Sequence, residues 1–136
     1  MNTKIKYVFI ILLLTMITGC YSTNFDLKIN PSESSNNGQP FYVFIKNSSM
    51  SNYTNSNIDK VYKEYIKDNS VYNSLLINPK DGIRSISIPK SDEDGVAIYF
   101  LFKRTMNIND WKIYVSPKDQ KDMMVTVSKN NKLGVL

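Results

Sequence analysis

Cys20 is the only cysteine in the 136 residues, and its surroundings say what its sulfur reacts with. It closes the run Ile17-Thr18-Gly19-Cys20 behind an apolar stretch over 7–17, and Lys4 and Lys6 put positive charge ahead of that stretch. A basic start, an apolar segment too short to span a bilayer comfortably, and small or neutral residues before a cysteine follow the order of a bacterial lipoprotein leader. The chemistry expected is transfer of a diacylglyceryl group to the sulfur, cleavage between Gly19 and Cys20, and acylation of the new amino terminus. Each buried methylene contributes about 0.8 kcal/mol, so one acyl chain holds a protein marginally and several hold it stably. The residues also admit an ordinary secretory leader or a short transmembrane anchor, but an unpaired thiol is a liability in an oxidising compartment.

Other reactive groups are scarce. The chain has no histidine, which removes the commonest general base and metal ligand, and lipidation takes the one thiol nucleophile. Asp92-Glu93-Asp94, followed by Gly95, could be imagined as a calcium loop or an acid pair. It lacks the spaced oxygen ligands and closing glutamate of a calcium loop and falls between two strands, where a solvated turn is expected. Tyr53, Tyr62, Tyr65 and Tyr72 could form an aromatic platform for carbohydrate, although three of them follow a helix or its flanks, which favours packing. No catalytic residue, cofactor site or metal site is assigned, and a non-enzymatic protein is expected. Of the 17 basic residues only Arg84 and Arg104 are arginines, and lysine cannot make the planar bidentate contacts that read bases and phosphates. Nucleic acid is therefore not an expected partner.

The rest of the chain must supply the body that the anchor holds. Removing the leader, 1–19, leaves 117 residues, the size of one domain, with 20–24 as the lipidated tether and 25–136 as the folded part. The two leader lysines leave 15 basic against 12 acidic residues, a net of +3. Phe25, Leu27 and Ile29 alternate with Asp26 and Lys28 as in a half-buried strand. Residues 30–40 are rich in proline, glycine, asparagine and serine, which is loop chemistry with nothing to bury. Strand character returns over 41–46, apolar on both faces as for a central strand. One amphipathic helix is expected near 57–68, with Ile58, Val61, Tyr62, Tyr65 and Ile66 as its apolar stripe and Asp59, Lys60, Lys63, Glu64 and Lys67 opposite. Strands follow over 84–88, 95–103, 111–115, 123–127 and 133–136, separated by turn clusters. Short strands at such spacing with one helix inserted predict a mainly β, two-sheet sandwich.

The order of these pieces resembles a known family. Asn30-Pro31, then Gly38-Gln39-Pro40, then the strand over 41–46 resembles the start of the TssJ family, the outer-membrane lipoproteins of the type VI secretion membrane complex. The helix after Tyr53, the Pro79 and Gly82 region, the strand from Gly95 to Phe100, and Trp111-Lys112 followed by a proline continue the resemblance. Lys112 and Gln39 stand where the family usually carries arginine, and Leu101-Phe102-Lys103-Arg104 departs from its usual strand ending. The resemblance implies a transthyretin-like β-sandwich with an added helix, tethered to the outer membrane and facing the periplasm. It implies a partner: the C-terminal periplasmic part of the inner-membrane channel protein. The loop between the first two strands would carry that contact, giving Asn30, Pro31, Ser32, Glu33, Ser34, Ser35, Asn36, Asn37, Gly38, Gln39 and Pro40 as candidates. Tyr21, in place of the aspartate that would retain a lipoprotein at the inner membrane, agrees with outer-membrane lipid as the anchor's destination. The residues alone leave open a free-standing lipoprotein that binds a solute or glycan or inhibits an enzyme.

Overall fold

Alternation of apolar and polar residues builds the first strand, β1 (Asn24–Pro31), in which Phe25, Leu27, Ile29 and Pro31 are buried while Asn24, Asp26 and Lys28 face water. The computed structural model describes residues 23–103 and 110–136. The leader, Cys20 and the start of the tether lie outside the described residues, as do Arg104 and all of the 106–110 turn except Asp110. The chain continues as β2 (Phe41–Ser48), α1 (Met50–Thr54), α2 (Ile58–Lys67), β3 (Asn73–Ile77), β4 (Arg84–Pro89), β5 (Gly95–Leu101), β6 (Lys112–Val115), β7 (Met123–Val127) and β8 (Leu133–Val135). The strands form two four-stranded sheets, β4-β1-β7-β8 and β3-β2-β5-β6. All pairs are antiparallel except β1 with β7. The mainly β sandwich expected from the sequence is the architecture found.

Two cores hold it. The main core lies between the sheets, where Leu27, Ile29, Val43, Ile77, Val96, Ile98 and Val125 are fully enclosed. The second core lies on the outer face of the β3-β2-β5-β6 sheet, where Phe44, Ala97, Tyr99 and Trp111 meet Val61 of α2 and Tyr72. β5 is buried at every position from Gly95 to Phe100 because Val96, Ile98 and Phe100 enter the first core while Ala97 and Tyr99 enter the second. That is why its sequence reads as an unbroken apolar run rather than an alternation.

The helix sits where its pattern places it, with Asn57 as N-cap accepting from the Lys60 N–H at 2.8 Å. Its register differs from the expected stripe. Val61 is buried and Ile58 and Tyr65 are half-buried, but Tyr62 and Ile66 are 52% and 66% exposed. Glu64, expected on the water side, turns to the sheet, where its Oε2 accepts from Lys46 Nζ at 2.9 Å and from the Tyr72 hydroxyl at 2.7 Å. A polar anchor on the sheet thus rotates the helix away from its most apolar face. Two elements lie outside the sequence expectation: β3, whose Leu75-Leu76-Ile77 run does not alternate, and the short α1, capped by the Ser49 side chain accepting from Asn52 N–H at 3.2 Å.

The register also assigns the ends of the sandwich. Asn24 is opposite Pro89, and the Lys90 N–H donates to the Thr23 carbonyl at 2.8 Å, so the chain enters at the end that carries the β4–β5 turn. Pro31 is opposite Val127, so the loop after β1 sits at the other end, beside the β7–β8 turn.

Candidate functional site

The 30–40 loop is ordered by its own polar groups. Ser32 N–H continues the ladder by donating to the Val127 carbonyl at 2.8 Å, and Ser35 closes a turn with its N–H and hydroxyl both on the Ser32 carbonyl, at 2.9 and 2.7 Å. Asn36, Asn37 and Gly38 then take left-handed backbone in succession, with φ of 50°, 56° and 73°. Asparagine and glycine tolerate that region where other residues resist it.

Asn36 is the hub. It is 3% exposed and spends its whole side chain on two segments, its own loop and the segment after β5. Its Oδ1 accepts the Lys103 N–H at 2.8 Å, and its Nδ2 donates to the Gln39 and Pro40 carbonyls at 3.0 and 3.1 Å. Its own N–H donates to Asn131 Oδ1 at 2.6 Å. Asn131, itself left-handed at φ 59°, belongs to the β7–β8 turn, closed by Asn131 N–H on the Ser128 carbonyl at 2.9 Å. The loop after β1, the segment after β5 and the last turn are therefore joined at one buried residue, the first two through its side chain and the last through its backbone N–H.

This divides the candidate residues. Glu33, Ser34, Asn37, Gln39 and Pro40 are exposed, and Asn30, Ser32 and Gly38 are half-buried. Pro31, Ser35 and Asn36 are buried, so their side chains shape the loop and present nothing to a partner. The reading of the loop as having nothing to bury is corrected by the same observation. The signal for it was Asn-Asn-Gly, three residues that accept left-handed backbone, but its bonding partners lie 67 and 95 positions away.

The other chemistry flagged in the sequence is absorbed by packing. Tyr65 stacks on Phe44 at 4.1 Å, Tyr53 stacks toward Tyr99 at 6.4 Å, and Tyr72 is buried, leaving Tyr62 alone of the four exposed. Lys112 Nζ donates to the Tyr53 and Ser56 carbonyls at 2.8 and 3.1 Å and lies over the Tyr53 ring. It caps the end of α1, and burial pulls its pKa down. The Lys46 ammonium, then the Tyr72 hydroxyl, hydrogen-bond Glu64 and hold its carboxyl below the usual range, while burial and that carboxylate push Tyr72 well up. Asp92-Glu93-Asp94 forms an exposed turn in which Ser91 Oγ accepts the Asp94 N–H at 3.1 Å. Among the described residues no group of acids is gathered as a metal would require. Beside Glu64 a polar cavity of about 120 Å³, lined among others by Lys46, Ser56 and Tyr99, has room for a few waters at about 30 Å³ each.

Residues 42–127 match the family described as the IglE N-terminal domain. The chain belongs to the IglE family. The IglE match opens just after the 30–40 loop and closes at the end of β7. Among solved structures, the sandwich superposes on Serratia marcescens Lip, a membrane-bound component of the type VI secretion system, with a TM-score of 0.69 at 9% identity over 84% of this chain and 96% of that one. It is similar to the type VI secretion lipoprotein TssJ1 from Pseudomonas aeruginosa, with a TM-score of 0.62 at 9% identity over 84% and 95%. A third likeness is to the TssM C-terminal domain (869–1107) structure from EAEC, with a TM-score of 0.67 at 16% identity over 83% and 97%. No curated protein matches the chain. The TssJ-like reading of the sequence is borne out by the IglE family match and by the fold it shares with these lipoproteins.

Proposed function

We propose that this IglE-family chain is a non-enzymatic, outer-membrane-anchored lipoprotein, held by acylated Cys20 and facing the periplasm. There it docks the C-terminal periplasmic part of the inner-membrane channel protein of a type VI secretion system. The observation that carries the proposal is the end-to-end layout of β1. Its eight residues run from the tether to the candidate loop, a distance of about 26 Å at about 3.3 Å per residue. The Asn36 hub fixes the loop in one shape at the far end. A surface ordered before contact loses less conformational entropy on binding, and an anchor confines it to the layer where the partner must be met. The folds shared with Lip and TssJ1 favour the same reading.

The test is a crosslinking pull-down of full-length protein from envelope membranes. Recovery of a large inner-membrane secretion protein is expected. It should be lost when Asn37 to Gln39 are exchanged for a neutral linker that spares Asn36, and secretion should fail with Cys20→Ser. Retained capture by the linker variant would reject the loop. Normal secretion by Cys20→Ser would reject the anchor.

A further inference from the structure

We propose that the end of the sandwich where the chain enters is a lipid-facing surface, with Val71, Pro89 and Lys90 set against the headgroups of an anionic phospholipid layer. This rests on the reading of Cys20 as lipidated. Thr23 is three residues from Cys20, and consecutive Cα atoms are 3.8 Å apart, so about 11 Å is the farthest the two can lie from each other. The headgroup layer is itself about 5–8 Å deep on each side of a bilayer. So short a tether reaches only a few ångström beyond the headgroup layer, and it keeps the entry end of the domain at the lipid surface.

The structure distinguishes the two sides of that end. Next to Thr23, whose carbonyl holds the Lys90 N–H, an open groove of about 150 Å³ runs between Pro89 and Val71. Val71 is 55% exposed on a short turn, 69–71, that Asp68 fixes by accepting the Ser70 N–H and hydroxyl at 3.0 and 2.6 Å. An apolar side chain is thus held outward. Pro89, Lys90 and Lys67, the last residue of α2, are exposed around it. Of the carboxylates nearby, Asp68 is engaged by Ser70, and Glu64 by Lys46 and Tyr72. The other side of the same end carries Asp92, Glu93, Asp94, Asp119 and Asp122 against Lys118 and Lys121. Gln120 bolts its two loops together, accepting the Ser91 N–H at 2.7 Å and donating to the Asp94 carbonyl at 2.9 Å. An anionic surface repels that carboxylate-rich side and attracts the lysine side, where long apolar stems and ammonium heads suit the interface. The domain leans on its β3 and β4 edges. Because the anchor already keeps the two surfaces together, weak contacts suffice.

The test uses the full-length lipidated protein in vesicles of phosphatidylethanolamine and phosphatidylglycerol. An environment-sensitive dye is placed at Val71→Cys, Asn37→Cys or Glu93→Cys, each the only free thiol once Cys20 is acylated. Quenching by acrylamide is expected to be several-fold weaker at position 71 than at 37 or 93, and the protection should fall when Lys67→Glu and Lys90→Glu are added. Equal quenching at all three positions, or protection at 93 instead of 71, on protein whose acyl chains are confirmed by mass spectrometry, overturns the inference. Unchanged protection in the double-charge variant overturns the headgroup contact. Protein lacking acyl chains overturns it together with the anchor, whereas failure to capture a channel protein leaves this measurement standing.

Discussion

Replacing Asn36 by alanine removes three hydrogen bonds and leaves the backbone where it was. The Lys103 N–H loses its acceptor inside a partly buried site, and a stranded donor of that kind costs about 1–3 kcal/mol. The Gln39 and Pro40 carbonyls belong to exposed residues and regain water. Alanine at φ 50° adds about 1 kcal/mol that asparagine largely escapes. The total is about 3 kcal/mol, a large share of the 5–15 kcal/mol that holds a typical domain. At about 4 °C per kcal/mol for a domain of this size, the thermal midpoint should fall by about 12 °C. Urea titration followed by circular dichroism, with the slope checked for constancy, measures the change directly. Asn36→Gly loses the same bonds without the strain and should recover about 1 kcal/mol of the loss. A fall below about 0.5 kcal/mol for Asn36→Ala would show that the loop and the segment after β5 are not joined through this amide.

Three further outcomes follow from the second core and the turns. Hydrogen bonds from Lys46 and then Tyr72 depress the Glu64 pKa, so its contribution is present above the unfolded value near about 4.3 and is lost as pH falls through the folded one. Acid titration of Glu64→Gln should be flatter than wild type over that range, and identical curves would refute the linkage. Phe44→Ala removes the ring between Tyr65 at 4.1 Å and Tyr72 at 5.7 Å and should cost about 3–5 kcal/mol; a loss below about 1 kcal/mol in the same urea assay would mean α2 is held by something else. Gly82 has φ 79° and ψ −150° with open space around it, so Gly82→Ala isolates backbone strain of about 1–3 kcal/mol, and an unshifted denaturation midpoint would contradict it.

How much was legible follows from where each signal lay. The alternation of β1 and the extent of α2 are local signals, and the structure keeps both. β5 was legible as buried, but its cause, cover on both faces, depends on a helix some 30 residues earlier. The helix register went astray at Glu64 because its bond to Lys46, 18 positions away, competes with an apolar moment that a helical wheel counts alone. β3 escaped because Leu75-Leu76-Ile77 has no period to read. In the candidate loop, composition announced a turn correctly, but burial of Ser35 and Asn36 depends on Lys103 and Asn131, which no window around the loop contains.

β1 also has a mechanical meaning. It is an interior strand, laced to β4 on one side and to β7 on the other, and its two ends point to opposite poles of the molecule. Tension drawn between residue 24 and the loop at residue 31 is carried by the strand's own extended covalent backbone, which has little slack to give, while the ladders on both sides hold it straight. The domain is thus built as a tie rod, stiffest along the axis on which a pull from the loop against a fixed amino terminus would act.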